Sequence, residues 1–202
     1  MTLTLDHIAI AARTLDEGLA WTESLLGVTL DPGGRHDRYG THNRLLGLGD
    51  IYLEVIAKDP GAQVDRPAWF GLDRFDGSPR PANWICRTDD LEADAAALPA
   101  DPGPAQDLER GDLRWRITVP EDGSLPMDGA VPTLIQWAEG TRHPAARLPD
   151  RGLRLIRWEV LHPDALGLAA ALDIDDPRVG YVQGAPGFRA VIDTPRGPVT
   201  LE

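Results

Sequence analysis

A histidine and a glutamate lie in two separate segments whose side chains alternate in the manner of β-strands. His7 lies within residues 3–11 and Glu54 within residues 51–56. Imidazole nitrogens and carboxylate oxygens are common ligands of divalent metal ions. If both strands belong to one cupped sheet with helices on its outer face, the two side chains point together into the cup. The sequence therefore predicts a metal-binding pair, His7 and Glu54.

Each member of this pair also has a purely structural interpretation. A carboxylate in an apolar strand is costly to bury unless it is paired, protonated or metal-bound. This cost favours a metal or acid–base role for Glu54, and the alternative is an ion pair with Arg87 or Arg157. His7 shares its predicted face with the small residue Ala9, which leaves room for a ligand. The alternative for His7 is a hydrogen-bonded histidine of the core.

The segments around this pair predict one β-α-β-β-β unit over residues 1–58. Alternation in its first strand places Leu5 and His7 on one face and Ile8 on the other. A capping box at Thr14 predicts the start of the helix, and Gly27 predicts its end.

Two further stretches repeat the pattern less clearly. Residues 59–81 are rich in Pro, Gly and Asp and predict a connector, in which Trp69 is expected to pack over a cleft. Residues 82–140 predict a second β-α-β-β-β unit, and residues 152–202 a third, degraded one. The pattern leaves open which of the later units pairs with the first.

Composition narrows the function classes. The chain has 202 residues and a net charge of −12, which argues against nucleic acid or an anionic membrane as a partner. Cys86 is the only cysteine, so no intrachain disulfide can form. No apolar run approaches the roughly 20 residues of a membrane span, and the start does not resemble a signal peptide. We expect a cytoplasmic protein that binds a small molecule.

The stretch from residue 40 to residue 57, GTHNRLLGLGDIYLEVIA, resembles the glyoxalase-like subset of the vicinal oxygen chelate superfamily. Residues 5–10, 69–72 and 193–198 are also similar to that subset. The superfamily includes glyoxalase I, extradiol dioxygenases and antibiotic-resistance binding proteins. The resemblance implies an α+β fold in which repeated β-α-β-β-β units form a half-open mixed β-barrel around one divalent metal ion.

In that superfamily, each of two paired units gives one ligand on its first strand and one on its fourth. His7 and Glu54 match the first pair. The second pair departs from the pattern, and Gln136 is the predicted counterpart of Glu54, as a third metal ligand or as a hydrogen-bonding amide. Weaker counterparts are Asn83 in the second unit and Arg157, Glu159 and Glu202 in the third.

One further histidine is a candidate for catalysis. His42 and Asn43 face opposite sides of their strand, so only one of them reaches the cup easily. His42 is predicted at the rim as a general base or substrate contact, and the alternative is a surface histidine. His36, His143 and His162 are interpreted as structural.

These predictions favour a metal-dependent lyase or isomerase that acts on a small oxygenated metabolite, with Glu54 and His42 as catalytic groups. Oxygen activation fits less well because the usual iron triad requires a second inward histidine. The first alternative is a metal-free protein that binds and sequesters a small molecule. The second is a structural module that binds a partner. A homodimer formed through strand edges is also expected.

Overall fold

The computed structural model describes residues 3–202, which contain twelve β-strands and three α-helices. The strands are β1 (Thr4–Ala11), β2 (Asp31–His36), β3 (Thr41–Gly47), β4 (Tyr52–Lys58), β5 (Arg80–Arg87), β6 (Ala105–Arg110), β7 (Leu113–Thr118), β8 (Thr133–Trp137), β9 (Arg154–His162), β10 (Val179–Gln183), β11 (Gly187–Asp193) and β12 (Val199–Leu201). The helices are α1 (Leu15–Leu26), α2 (Leu91–Ala97) and α3 (Ala165–Ala171).

Eight strands form one mixed sheet in the order β2-β3-β4-β1-β5-β8-β7-β6. Strand β1 lies at its centre, parallel to β4 and antiparallel to β5. The first four strands of the chain therefore form one half of the sheet, and the next four form the other half. The predicted α+β class and half-open mixed β-barrel are confirmed.

The last four strands form a separate sheet in the order β10-β9-β11-β12. It is therefore β5, and not a strand of this last sheet, that pairs with β1. The two sheets share one core, in which Trp84 on β5 is fully buried. The indole N–H of Trp84 donates to the Gly129 carbonyl at 3.0 Å, and its ring meets Tyr181 of β10 edge to face.

Helix α1 holds strand β4 in place from the outer side of the sheet. It begins and ends as the sequence predicts, because Thr14 Oγ1 accepts the Glu17 backbone N–H and Gly27 adopts a left-handed conformation. Gly18 permits close packing, since a Cβ there would lie 2.6 Å from Val55 Cγ1. Glu54, the neighbour of Val55, consequently projects from the other face of β4, away from the helix.

The edge strand β2 contains residues 31–34, whose Pro and Gly content is typical of a turn. Proline is tolerated at a sheet edge because its missing N–H costs no ladder hydrogen bond there. The pairing of β2 with β3 shifts register between Pro32 and Arg35. No helix among residues 3–202 has the length and apolar character needed to cross a membrane.

Trp84 joins the two sheets, so its removal should weaken the whole molecule. We expect Trp84→Ala to lower the free energy of unfolding by about 3–5 kcal/mol, the usual cost of deleting a large buried aromatic side chain. Urea denaturation followed by circular dichroism measures this change. Leu166→Ala is the control, because Leu166 is 83% exposed. A loss below about 1 kcal/mol for Trp84→Ala would show that the shared core does not couple the sheets.

Candidate active site

A small cavity lies inside the eight-stranded sheet, on the face opposite to α1. The space within it that the centre of a water molecule can reach is about 30 Å³. Larger surface grooves exist elsewhere, but this cavity is lined by a buried histidine and a buried carboxylate, His7 and Glu54. The lining residues are His7, Tyr52, Glu54, Trp69, Phe70, Arg110, Leu113, Trp115, Ile117, Ile135, Trp137 and Pro144.

The structure brings His7 and Glu54 together. They lie on the neighbouring parallel strands β1 and β4, and Ala9 pairs with Glu54 in the register. His7 Nε2 and Glu54 Oε2 are 3.9 Å apart, and each residue is only 4% exposed. Neither Arg87 nor Arg157 forms an ion pair with Glu54 in the described part of the chain. The carboxylate therefore faces the cavity without an arginine that neutralises it through direct contact.

A β-bulge at Asp6 gives His7 its orientation. The pairing of β1 with β5 shifts register between Leu5 and His7, so that Asp6 is the extra residue. As a result Leu5 joins Ile8 in the core under α1, while Ala9 packs on the cavity side. The prediction that Leu5 and His7 share a face was wrong, because simple alternation does not survive a bulge.

Asp6 is fully buried and accepts hydrogen bonds from three side chains. His7 Nδ1 lies 2.7 Å from Asp6 Oδ1, while Trp137 Nε1 and His143 Nε2 lie 3.0 and 2.9 Å from Oδ2. Burial alone would raise the pKa of Asp6. The hydrogen bonds from His143 and His7, together with their charges, outweigh burial and hold the pKa of Asp6 well below its usual range. Asp6 is therefore ionised and acts only as an acceptor.

The ionised Asp6 determines which nitrogen of each histidine carries the proton. His143 Nδ1 accepts the Ala145 backbone N–H at 3.2 Å, so its Nε2 is the donor to Asp6. His7 likewise donates from Nδ1. In the neutral imidazole of His7, the lone pair of Nε2 is consequently directed into the cavity towards Glu54.

Tyr52 fixes the plane of the His7 ring. The two rings stack with centroids 4.3 Å apart and an interplanar angle of 13°. Burial, followed by the nearby charges of Asp6 and Glu54, raises the pKa of Tyr52 well above its ordinary value. The phenol therefore stays neutral and serves as an apolar platform with a polar tip.

Asn43 holds the other member of the pair. Its amide nitrogen donates to Glu54 Oε1. Its Oδ1 accepts the Gly34 backbone N–H at 2.7 Å and Arg110 Nη1 at 3.3 Å, which establishes the orientation of the amide. Gly33 makes room for this arrangement, since a Cβ there would lie 2.1 Å from Asn43 Oδ1. Glu54 Oε2 is left free to face the cavity.

His42 does not reach the cavity. Asn43 takes the inward position on β3, and strand alternation turns His42 to the opposite face. His42, predicted as a catalytic group, therefore lies outside the cavity, and the amide beside it is the residue that contacts Glu54. The sequence had already limited the choice to one of these two neighbours.

Gln136 also lies outside the cavity. Its neighbours Ile135 and Trp137 face inward, and Gln136 Nε2 donates to the backbone carbonyl of Asp89, just before α2. The amide of Asn83 is occupied by Thr133 Oγ1 and by the Trp84 backbone N–H. The second half of the sheet thus supplies neither of its predicted ligands.

The candidates in the third unit are engaged in their own sheet. Glu159 pairs with Arg157 at 2.8 Å and with Arg189 at 2.7 Å. Glu202 pairs with Arg189 at 3.0 Å. These residues form an ion-pair network that joins β9, β11 and the residue after β12, and they do not line the cavity.

The donor set is too small for a resident metal ion. Catalytic zinc sites usually have three protein ligands, whereas His7 and Glu54 give two, and residues 3–202 contain no cluster of three His, Cys, Asp or Glu side chains suited to a metal. Arg110 lines the same cavity and would repel a second cation. The metal centre predicted from the sequence had Gln136 or an unassigned group as its further ligand, and Gln136 lies outside the cavity.

Two aromatic residues of the connector cover the cavity. Trp69 stacks on Tyr39 and on Phe70, with centroid distances of 4.5 and 4.8 Å. Trp69 Nε1 donates to Thr41 Oγ1 at 3.0 Å, which attaches the connector to β3. Opposite them, the second half of the sheet contributes apolar side chains such as Trp115 and Ile135. The pair of His7 and Glu54 therefore lies in a water-poor environment.

Sequence reasoning missed three residues of this site. Asp6 left a signal, because a charged residue next to His7 interrupts an otherwise apolar strand. The sequence contained no such signal for His143, which lies in a loop, or for Arg110, which lies on the edge strand β6 far along the chain. His143 was interpreted as structural, yet its hydrogen bond to Asp6 connects it directly to His7.

Comparisons with known proteins agree with this fold. The sequence model of the glyoxalase-like domain family matches residues 5–174. A hypothetical protein from Staphylococcus aureus superposes with a TM-score of 0.65 at 16% identity, covering 93% of this chain and 88% of that one. Methylmalonyl-CoA epimerase from Mycobacterium tuberculosis has a TM-score of 0.42 at 22% identity and covers 66% of this chain and 87% of its own. No functionally curated protein matches the sequence.

Replacing Asp6 should weaken the molecule and change its acid sensitivity. We expect Asp6→Asn to cost at least about 2 kcal/mol, because it removes a charged acceptor of several buried hydrogen bonds. The lowered pKa means that Asp6 stabilises the fold above pH ~4, the unfolded value, and that this contribution is lost as the pH falls towards the folded value. Urea titrations between pH 7 and pH 3 measure both effects.

The matched control for this experiment is Asp16→Asn, in the exposed first turn of α1. Its unfolding free energy should change by less than about 0.5 kcal/mol. The difference in unfolding free energy between wild type and Asp6→Asn should be smaller at pH 3 than at pH 7. An equal difference at both pH values would contradict the proposed ionisation of Asp6.

Proposed function

The chain belongs to the glyoxalase-like domain family, and we propose that it is an isomerase or lyase that moves a proton on a small oxygenated metabolite. The observation that carries the proposal is the buried pair of His7 and Glu54, 3.9 Å apart and facing one cavity. Each member is oriented by its own partner, Asp6 or Asn43. Side chains held in this way are suited to general acid–base catalysis.

Glu54 is assigned as the base that takes a proton from a carbon next to a carbonyl group. Its Oε1 is held by Asn43, so Oε2 is the oxygen available to the substrate. The surroundings contain few water molecules to compete for this oxygen, because aromatic and aliphatic side chains line most of the cavity.

His7 is assigned as the second proton-transfer group. Its Nε2 faces the same space as Glu54 Oε2, and its Nδ1 is anchored on Asp6. The negative charge of Asp6 stabilises the imidazolium that forms when Nε2 accepts a proton. The proton that Glu54 takes from carbon passes to His7 Nε2, 3.9 Å away. Its return from Nε2 to the other face of that carbon, or to another carbon, gives an isomer, whereas its delivery to a departing neighbouring substituent gives a lyase reaction.

A metal ion is not assigned a step. The superfamily includes metal-dependent enzymes, and a metal there supplies a positive charge that polarises substrate oxygen. The two donors of this cavity fall short of the usual ligand number, so the proposal depends on the side chains alone.

A second candidate function is the metal-free binding of an apolar small molecule. The apolar half of the cavity, formed by side chains such as Trp115, Ile117 and Ile135, favours it. A binding protein would not require the buried acid–base pair, and this difference allows the two candidates to be tested against each other.

Hydrogen–deuterium exchange tests the catalytic proposal. Wild-type protein in D₂O should catalyse exchange at the α carbon of at least one member of a panel of small 2-oxo, 2-hydroxy and 2-methyl carbonyl compounds, followed by proton NMR. Glu54→Gln and His7→Ala should each lower the rate by about 10²–10⁴-fold, the usual contribution of a positioned acid or base.

Two matched variants control for general effects of substitution. Glu121→Gln changes an exposed glutamate in a loop, and His162→Ala changes a histidine of the separate sheet. Both should retain the wild-type rate. Ligand binding that is tight but not accompanied by exchange, and unaffected by Glu54→Gln, would support the binding-protein candidate instead.

The metal content provides an independent test. We expect protein purified without a His-tag to contain well below one divalent metal ion per chain, because only two protein ligands converge. Elemental analysis measures this content, and thermal denaturation with added manganese, nickel, zinc or iron measures weak binding. A near-stoichiometric metal that disappears in Glu54→Ala would contradict the metal-free mechanism.

A further inference from the structure

A second, outer pocket adjoins the cavity at its open end. It lies between the hairpin of β2 and β3 and the hairpin of β6 and β7, and has a volume of about 290 Å³. Arg110 and Trp115 line both the outer pocket and the inner cavity, so the two spaces are neighbours. The lining residues of the outer pocket are Arg35, His36, Asp37, Arg38, Leu108, Glu109, Arg110, Gly111 and Trp115.

The outer pocket concentrates positive charge in an otherwise acidic protein. The chain has a net charge of −12, yet Arg35, Arg38 and Arg110 converge here. Arg35 pairs with Asp59. Arg38 makes its side-chain hydrogen bonds to neutral groups, the Gln106 amide oxygen and a backbone carbonyl. The pocket therefore has cationic groups whose charge is not fully matched by the protein.

Arg110 is the guanidinium closest to the proposed chemistry. No carboxylate lies within ion-pair distance of it among the described residues 3–202. Its Nη1 donates to His36 Nε2 at 3.1 Å and to Asn43 Oδ1 at 3.3 Å, and both acceptors are uncharged. Burial and the charge of Arg110 lower the pKa of His36 to about 3, so that ring stays neutral.

The acidic side chains of the outer pocket do not neutralise Arg110. Glu109 pairs with Arg114 at 3.0 Å, and strand alternation places Glu109 and Arg110 on opposite faces of β6. Asp37 lies in the loop after β2 and forms no ion pair in the described part of the chain. A partly buried guanidinium with only neutral partners is suited to bind an anionic group that arrives with a ligand.

Asn43 connects this guanidinium to the reacting pair. The amide accepts from Arg110 through its oxygen and donates to Glu54 through its nitrogen. An anionic group on Arg110 would therefore be held one side chain away from Glu54, with the remainder of the molecule in the cavity.

We propose that Arg110 binds the carboxylate of the substrate, and that the substrates are small carboxylic acids whose reacting carbon lies within a few bonds of that carboxylate. The inference rests on the proposed function in one respect, which is the carbon of the substrate that reacts. The anion site itself depends only on Arg110 and its neutral partners. A phosphate group shares the same chemistry, so the test includes inorganic phosphate.

Ligand-observed NMR titrations of the full chain test the proposal, with pyruvate, malonate and inorganic phosphate as anions and hydroxyacetone as the neutral analogue of pyruvate. We expect saturable binding of at least one of the two carboxylates and at least tenfold weaker binding of hydroxyacetone. Arg110→Gln should weaken carboxylate binding by about tenfold or more, since charge-assisted hydrogen bonds to carboxylates are strong. Affinity should also fall as salt is added.

Arg44→Gln is the matched control. Arg44 follows Asn43 on β3 but lies on the opposite face, and it donates to a backbone carbonyl. The Arg44→Gln variant loses the same charge as Arg110→Gln, and its affinity for carboxylates should be within about twofold of the wild-type affinity. Arg110→Lys keeps the charge and should show intermediate affinity because it loses the planar fork. Circular dichroism melts establish that each variant is folded, and the comparison of Arg110→Lys with wild type carries the test if Arg110→Gln is not.

Several results would overturn the proposal. These are equal affinity for pyruvate and hydroxyacetone, no saturable binding of either carboxylate, tighter binding of phosphate than of both carboxylates, or equal losses in Arg110→Gln and Arg44→Gln. Glu54→Gln separates this proposal from the catalytic one. It should lower the exchange rate by about 10²–10⁴-fold. It should leave anion binding as tight as in wild type, or tighter, because it removes a nearby negative charge.

Discussion

The candidate site depends on the burial of the Asp6 carboxylate. Three side chains from separate parts of the chain donate to it: His7 from β1, Trp137 from β8 and His143 from the segment that follows β8. A charge inside a protein is tolerated only when its hydrogen-bonding capacity is satisfied. The carboxylate thereby joins both halves of the eight-stranded sheet and orients the His7 ring. If this network were broken, the lone pair of His7 Nε2 would no longer have a defined direction.

The two halves of the eight-stranded sheet contribute different kinds of side chain to the site. The first half provides the polar groups, His7, Asn43 and Glu54, whereas the second half provides apolar walls such as Ile135 and one cation, Arg110. Repeated units would be expected to contribute equivalent ligands to a shared metal. Here β8, the strand of the second half that corresponds to β4, carries Gln136 on its outer face. The positive charge in the cavity belongs to the guanidinium of Arg110. An organic cation fixed on a strand can stabilise negative charge on a substrate without the ligand set that a metal requires.

Much of the fold could be predicted from local patterns. The helix α1 follows from the cap at Thr14 and the stop at Gly27, and the strands that carry His7 and Glu54 follow from alternation. These features depend on residues close together in the sequence. The bulge at Asp6 and the inward position of Asn43 depend on pairing with distant strands, so alternation alone gave the wrong face for Leu5 and left open which of His42 and Asn43 faces the cavity.

The sequence by itself determined the type of repeating unit, the resemblance to the glyoxalase-like family and the pair of His7 and Glu54. A residue type and its position in a strand are enough for these conclusions, because side-chain direction repeats every two residues. Only the tertiary structure decided that β5 pairs with β1, that Gln136 points outward, and that His143 and Arg110 reach the site. The physical reason is that these contacts join residues up to 137 positions apart in the chain. Such contacts form through packing and buried hydrogen bonds that leave no local pattern in the sequence.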